Sequence, residues 1–338
     1  MDGNILEIEE LTKGFPVSGG FLGRERARVH AVRGVSLNIR HGETLGLVGE
    51  SGCGKSTLGQ LVLRLLDPDS GTILFDGRDI TRTSQSRLRP LRREMQIVFQ
   101  DPFASLNPRM TVGDIVAEPL VVHSELKNPR ERSERVSELV RLVGLPSDSA
   151  SRYPHEFSGG QCQRVGIARA IALMPRLIVA DEPVSALDLS IRGEILNLMT
   201  DLRERFGLAY LFIAHDLKVV EHISHRIAVM YLGKLMEIFP SERLSDARHP
   251  YTQALVSAIP VTSPGAKKSR IVLQGDVPSP LSPPRGCPFN PRCPHAVDIC
   301  SKEEPHFAPY MEGFSAACHR ISEMENKRVG LIGLDRKS

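Results

Sequence analysis

Apolar and polar positions alternate from Ile5 to Leu11 and again from Val29 to Ile39, the period of half-buried strands. Thr44–Val48 is short, apolar and bounded by glycine, which predicts a buried strand. Thr72–Ile80 carries Asp76-Gly77 between two short apolar runs and predicts a hairpin, with a further short strand at Met95–Phe99. Leu58–Leu66 has the period of an amphipathic helix. From Thr111 to about Val143 the pattern is helical too, with Val112, Ile115, Val116 and Leu120 on one face, and Gln161–Leu173 predicts another strong helix. Leu177–Ala180 and Tyr210–Ala214 predict buried strands separated by a helix over Ser190–Phe206. Strands alternating with helices imply an α/β domain with a mostly parallel sheet over about residues 4–240.

The pattern then breaks. Prolines crowd the stretch from Pro260 to Pro294, which excludes a long helix or central strand there. This predicts a small, loop-rich appendage, too poor in aliphatic residues for much of a core and open to being stapled by its cysteines. Six cysteines are present: Cys53 and Cys162 stand alone, whereas Cys287, Cys293, Cys300 and Cys318 cluster near the C-terminus. In a reducing compartment such a cluster favours metal over disulfides. No C-x₂-C knuckle is present, which weakens the case for a zinc ribbon. Irregular four-cysteine sets also hold iron–sulfur clusters, and His295 and His319 lie near enough in sequence to be alternative ligands.

Overall composition adds mainly exclusions. With 41% hydrophobic and 25% charged residues the chain reads as an ordinary globular protein, and a net charge of +3 makes no case for nucleic-acid binding. No apolar run approaches the roughly 18–20 residues of a bilayer span, and the first residues lack the long apolar centre of a signal peptide. The expectation is a soluble, cytoplasmic chain that, if it works at a membrane, borrows its spans from another protein.

The chemistry is concentrated in three motifs. Gly49-Glu50-Ser51-Gly52-Cys53-Gly54-Lys55-Ser56-Thr57 fits G-x-x-x-x-G-K-[ST] between a predicted strand and a predicted helix, the context of a P-loop. Its main-chain N–H groups can cradle phosphates, with Lys55 reaching the β- and γ-phosphates and Ser56 ligating Mg²⁺. Cys53 occupies a variable position. Leu177–Ala180 runs into Asp181-Glu182, where Asp181 can hold Mg²⁺ and Glu182 can polarise a water as general base. Phe157-Ser158-Gly159-Gly160-Gln161, ahead of a helix, forms a second phosphate-binding surface.

That last motif resembles the LSGGQ signature of the ATP-binding cassette (ABC) family, and the resemblance extends in order along the chain. It implies a P-loop NTPase of the ABC type over residues 4–258, with a helical subdomain at about 101–165, a Pro/Cys-rich domain over 259–325 and a tail at 326–338. It further implies that Ser158, Gly159, Gly160, Gln161 and Asp188 meet ATP held by a partner chain, and that Phe15 stacks on adenine. Gln100 would sense Mg²⁺ and water, and His215 would contact the γ-phosphate. Residues 100–120 (QDPFASLNPRMTVGDIVAEPL), residues 249–255 (HPYTQAL) and the cysteine tail resemble the oligopeptide/dipeptide importer branch, F-type more than D-type. Phe103, Leu106, Val112 and Ile115 then become either contact surface for membrane subunits or ordinary subdomain core.

The branch implies ATP-driven import of peptides, with nickel or another small solute as the alternative, at the cytoplasmic face of the inner membrane. It implies two membrane permease subunits, a second ABC ATPase (a D-type sibling or a second copy) and an extracytoplasmic solute-binding protein. It also implies a [4Fe–4S] cluster on the four cysteines, with zinc or free thiols as the alternatives. A soluble ABC ATPase acting outside transport is the reading from another class.

Overall fold

The computed structural model describes residues 3–18, 25–123, 126, 128–259 and 270–324. In chain order the strands are β1 (Asn4–Ser18), β2 (Glu25–Arg40), β3 (Thr44–Val48), β4 (Ser70–Phe75), β5 (Arg78–Asp79), β6 (Met95–Val98), β7 (Leu177–Asp181), β8 (Ala209–Ile213), β9 (Arg226–Tyr231), β10 (Lys234–Pro240), β11 (Phe307–Met311) and β12 (Phe314–Ala317). The α-helices are α1 (Lys55–Val62), α2 (Gln85–Leu91), α3 (Val112–Val122), α4 (Pro129–Leu142), α5 (Gly159–Ile171), α6 (Leu189–Phe206), α7 (Leu217–Ile223), α8 (Pro250–Ala258) and α9 (Asp298–Lys302).

Two sheets organise the molecule. An antiparallel sheet has the order β2-β1-β4-β5, and the central sheet has the order β11-β12-β10-β9-β3-β8-β7-β6. From β9 to β6 every pairing is parallel, and β10, β12 and β11 extend the sheet antiparallel. The continuous apolar runs of β7 and β8 follow from burial on both faces. Leu177 and Val179 of β7, with Leu211 and Ile213 of β8, join Leu58 and Leu61 of α1 and the β1–β2 sheet in one core. Their neighbours Ile178, Ala180, Tyr210 and Phe212 point into a second core with α3, α4, α5 and α6. The Asp76-Gly77 hairpin forms as read, with both residues at positive φ of 50° and 73° as a tight turn requires.

Two expectations need correction. The helical stretch Thr111–Val143 is two helices, because Pro129 cannot continue a preceding helix and suits the first turn of the next. Asn128 caps that second helix, its side chain accepting the Arg130 N–H at 3.0 Å. The proline-rich appendage, in turn, is less loop-like than its composition suggested. Its β11–β12 hairpin pairs with β10 through Glu237↔Ala316 and Ile238↔Ser315, so it completes the central sheet. Cys287, Phe289, Cys300 and Phe314 are buried in the larger core, so the segment shares the core of the α/β fold and has no need to build one of its own.

Candidate functional site

The parallel strands β3, β8, β7 and β6 end side by side, and the sequence-predicted groups hang from those ends. This is where an open parallel sheet presents ligands. Residues 49–54 turn back from β3 before α1 begins at Lys55. Gly54 has φ 103°, and a Cβ there would run into the Ala31 carbonyl, so both conformation and space demand glycine. Lys55 is only 5% exposed, and its Nζ donates to the carbonyls of Gly49 at 2.8 Å and Glu50 at 3.1 Å. An ammonium held at the mouth of a ring of main-chain N–H groups could transfer those bonds to phosphate oxygens.

Ser56 Oγ donates to Asp181 Oδ1 at 3.0 Å, joining the P-loop hydroxyl to the carboxylate at the end of β7. This oxygen pair could bind Mg²⁺. Burial raises the Asp181 pKa and Glu182 pushes the same way, against the Ser56 bond and Lys55. Glu182 adopts φ 47°, an uncommon conformation for a side chain of its size. Its N–H donates to the Ile213 carbonyl at 2.9 Å, and its own carbonyl accepts from Ser185 Oγ at 3.0 Å. The carboxylate faces Gln100 Nε2 at 3.0 Å and His215 Nδ1 at 3.3 Å, side chains that follow β6 and β8.

One open cleft of about 460 Å³ unites Phe15, Ser51, Gly52, Gly54, Lys55, Ser56, Thr57, Gln100, Glu182 and His215. Gly49, Glu50 and Cys53 do not line it. Cys53 packs beneath the loop, where burial raises its pKa against the opposing effect of Lys55, whose Nζ lies 3.8 Å from the sulfur. Glu50 turns its carboxylate away from the cleft to Arg292.

The signature residues lie elsewhere. Ser158 caps α5 reciprocally: its N–H donates to Gln161 Oε1 at 2.9 Å, and its Oγ accepts the Gln161 N–H at 3.4 Å. Phe157, in the first place of the signature, is buried in the core with α3 and α4. Gly160 lets α5 approach α6, since a Cβ would lie 2.5 Å from Ile191 Cγ2. Asp188 stands at the N-terminus of α6, one turn from that contact. None of these five residues lines the cleft of its own chain.

The four clustered cysteines meet around a second, smaller cavity, together with His249, Phe289, His295 and His319. Burial raises the Cys287 pKa to about 12 and that of Cys318 to about 11, and raises Cys293 as well. Against burial, main-chain N–H groups of Phe289, His295 and Arg320 point at the sulfurs of Cys287, Cys293 and Cys318 respectively. Such donors stabilise thiolates, the form that binds metal. Among the described residues no three His, Cys, Asp or Glu side chains converge tightly enough to hold a single metal ion.

Sequence reasoning missed several groups here. Val29 and Ala31 of β2 line the cleft beside Phe15, and only the β1–β2 register, with Phe15 opposite Val29, places them there. Tyr251 was visible within HPYTQAL, but its role was not: its hydroxyl accepts the Glu50 N–H at 3.0 Å. Arg292 carried no local signal.

Comparison with known proteins follows the same division of the chain. Residues 32–185 match the family described as ABC transporter, and residues 236–300 match the C-terminal region of oligopeptide/dipeptide transporters. The oligopeptide transport ATP-binding protein AppF of Bacillus subtilis is 53% identical over 322 residues, covering 94% of this chain and 98% of AppF. A probable peptide ABC transporter ATP-binding protein of Sinorhizobium fredii, y4tS, is 52% identical over 94% of this chain and 90% of its own length. Among solved structures, the dimeric post-hydrolysis state of the ATP-binding cassette MJ0796 bound to ADP and Pi aligns with a TM-score of 0.63 at 30% identity, over 70% of this chain and 98% of that one. Clostridium perfringens cbiO1, part of the transporter complex cbiONQ, aligns with a TM-score of 0.62 at 29% identity, over 76% and 94% of the two chains.

Proposed function

The chain belongs to the ATP-binding cassette transporter family as an ATPase subunit, and from that premise we propose that it drives import of di- or oligopeptides through membrane permease partners. The observation that carries the peptide reading is similarity over nearly the whole chain, C-terminal region included, to proteins named for peptide transport. Among the described residues no helix is long and apolar enough to cross a membrane, which agrees with spans supplied by partners.

In this reading ATP lies in the cleft with its adenine on Phe15 and its phosphates on the main chain of 51–57. Mg²⁺ would add positive charge at the phosphates, and Ser56, Asp181 and Gln100 would hold it. Glu182 takes a proton from the attacking water, while Gln100 and His215 fix the direction of its carboxylate. Lys55 neutralises charge on the transferred phosphoryl group, so catalysis rests on position and electrostatics. Ser158–Gln161 and Asp188 act on the ATP of a second ABC ATPase, a D-type sibling or another copy. Their distance from their own cleft supports that role.

We assign residues 4–258 to the ATPase domain, with a helical subdomain at about 101–165, and 259–325 to the peptide-transporter C-terminal domain. The complex sits on the cytoplasmic face of the cell membrane and receives solute from an extracytoplasmic binding protein. The four cysteines fit an iron–sulfur cluster: all four line one cavity, and three of the sulfurs face main-chain donors. The alternatives are a zinc ion on the same four cysteines, or free thiols. Such a cluster would supply a cross-link between segments of the C-terminal domain. Anaerobically purified protein lacking iron and sulfide would remove this assignment.

The decisive test of function is uptake of a labelled di- or oligopeptide by cells whose only copy is wild type or Glu182→Gln. Uptake present in the first and lost in the second is the expected result. Equal uptake in both would reject peptide import by this site, and nickel uptake would then be measured.

A further inference from the structure

The phosphate-binding loop is gripped from behind by residues more than 180 positions downstream. Arg292 Nη1 stands 3.0 Å from Glu50 Oε1 and 2.8 Å from Oε2, so one nitrogen bridges both carboxylate oxygens. The arginine side chain is 10% exposed and the glutamate 25%, so solvent screens the pair only in part. The same nitrogen lies 3.3 Å from the Tyr231 hydroxyl, and the Tyr251 hydroxyl accepts the Glu50 N–H at 3.0 Å.

Behind these contacts the rings of Tyr231, Tyr251 and Phe289 pack with centroids 4.8–5.4 Å apart. Phe289 also lines the four-cysteine cavity, and Arg292 immediately precedes Cys293. Packed groups therefore run without a break from the cysteine lobe to the second residue of the loop. That residue is also a hub within the loop, since the Glu50 carbonyl accepts both Lys55 Nζ at 3.1 Å and the Cys53 N–H at 3.2 Å.

We propose that Arg292 is a positioning residue of the nucleotide site: by clamping Glu50 it holds the main chain of the loop in its phosphate-binding shape, which makes the cysteine lobe part of the ATP-binding machinery. A loop that donates main-chain N–H groups binds tightly only when its shape is set before ligand arrives, because ordering it on binding subtracts from affinity. Arg292 serves this purpose without touching nucleotide. Losing the clamp therefore raises KM and nucleotide Kd more than it lowers the turnover of the saturated enzyme. The inference rests on the ATPase activity and is independent of which solute is imported.

The test uses the full chain assembled with its partner subunits. Nucleotide Kd would be read under non-hydrolysing conditions, kcat and KM from phosphate release, and the thermal midpoint for each variant. Arg292→Ala should raise Kd and KM about tenfold, the scale of one lost charge-assisted contact, with a smaller fall in kcat. Arg292→Lys, which keeps a charged donor, should recover part of that loss. Adding Glu50→Gln to Arg292→Ala should recover none, because the clamp stays broken.

Three results would overturn the proposal. One is a Kd for Arg292→Ala within about twofold of wild type. Another is restored affinity in the double variant, which would reduce Arg292 to masking an acid beside the anion site. The third is a parallel fall of nucleotide affinity, kcat and thermal midpoint that Arg292→Lys does not relieve, the signature of a fold defect alone.

Discussion

Replacing Glu182 with glutamine changes little except the capacity to accept a proton. The carboxylate is held by Gln100 Nε2 at 3.0 Å and faces His215 Nδ1 at 3.3 Å. A glutamine oxygen can keep the first of these bonds, and the backbone bond from Glu182 N–H to the Ile213 carbonyl does not involve the side chain. ATP and Mg²⁺ would meet Lys55, Ser56 and Asp181 unaltered. The loss therefore falls on the transition state alone. A positioned general base contributes about 10²–10⁴ in rate, equivalent to about 3–5 kcal/mol of barrier. Steady-state phosphate release should show kcat falling by that factor, with KM and equilibrium nucleotide affinity within about threefold of wild type. If kcat fell by less than about tenfold, Glu182 could not be the base. If Kd for ATP rose in step with the fall in kcat, the carboxylate would be a binding group, and the reasoning from its surroundings would fail.

Three further outcomes follow from the geometry. Gly160→Val forces a branched side chain against Ile191, whose own branching leaves it little freedom on α6, and should cost about 1–3 kcal/mol in urea unfolding together with ATPase activity; wild-type stability would mean that the two helices can separate. Phe314 is 1% exposed, stacks on Phe239 at 6.0 Å between centroids and lies under Arg243. Phe314→Ala should lower stability by about 3–5 kcal/mol, and a loss below about 1 kcal/mol would show that the β11–β12 hairpin adds little to the core. The third concerns acid. Burial lowers the His225 pKa, with Arg203 acting the same way and Glu43 opposing, and its Nδ1 accepts the Thr44 N–H at 2.9 Å. A depressed histidine pKa contributes stability that is present above its unfolded value of about 6.5 and is lost as pH falls through the folded value. The urea midpoint of wild type should thus drop between pH 7.5 and 5.5 by more than that of His225→Gln. Equal drops would exclude His225 as the cause.

How much of this was legible in the chain depended on distance along it. The P-loop, the acidic pair at the end of β7 and the signature cap are written in consecutive residues, because phosphate binding and helix capping need main-chain groups at fixed local offsets. The apolar runs of β3, β7 and β8 were equally plain, since burial on both faces favours apolar residues along most of each strand. The strands β9 and β10 and the hairpin β11–β12 went unread, since the pairing of the hairpin with β10 joins segments some 75 positions apart.

What the sequence determined by itself is the chemistry on offer: a phosphate cradle, a pair of acids, a histidine at a strand end and four clustered cysteines. Tertiary structure alone decided which of these meet. It brought Gln100, Glu182 and His215 within hydrogen-bond reach across three neighbouring strands. It kept the signature away from its own cleft, and it set Arg292 against Glu50 across 242 positions of chain. Local order follows from short-range sterics and periodicity, which a sequence displays. The partners of a side chain depend on sheet order and packing, which no stretch of a few residues contains.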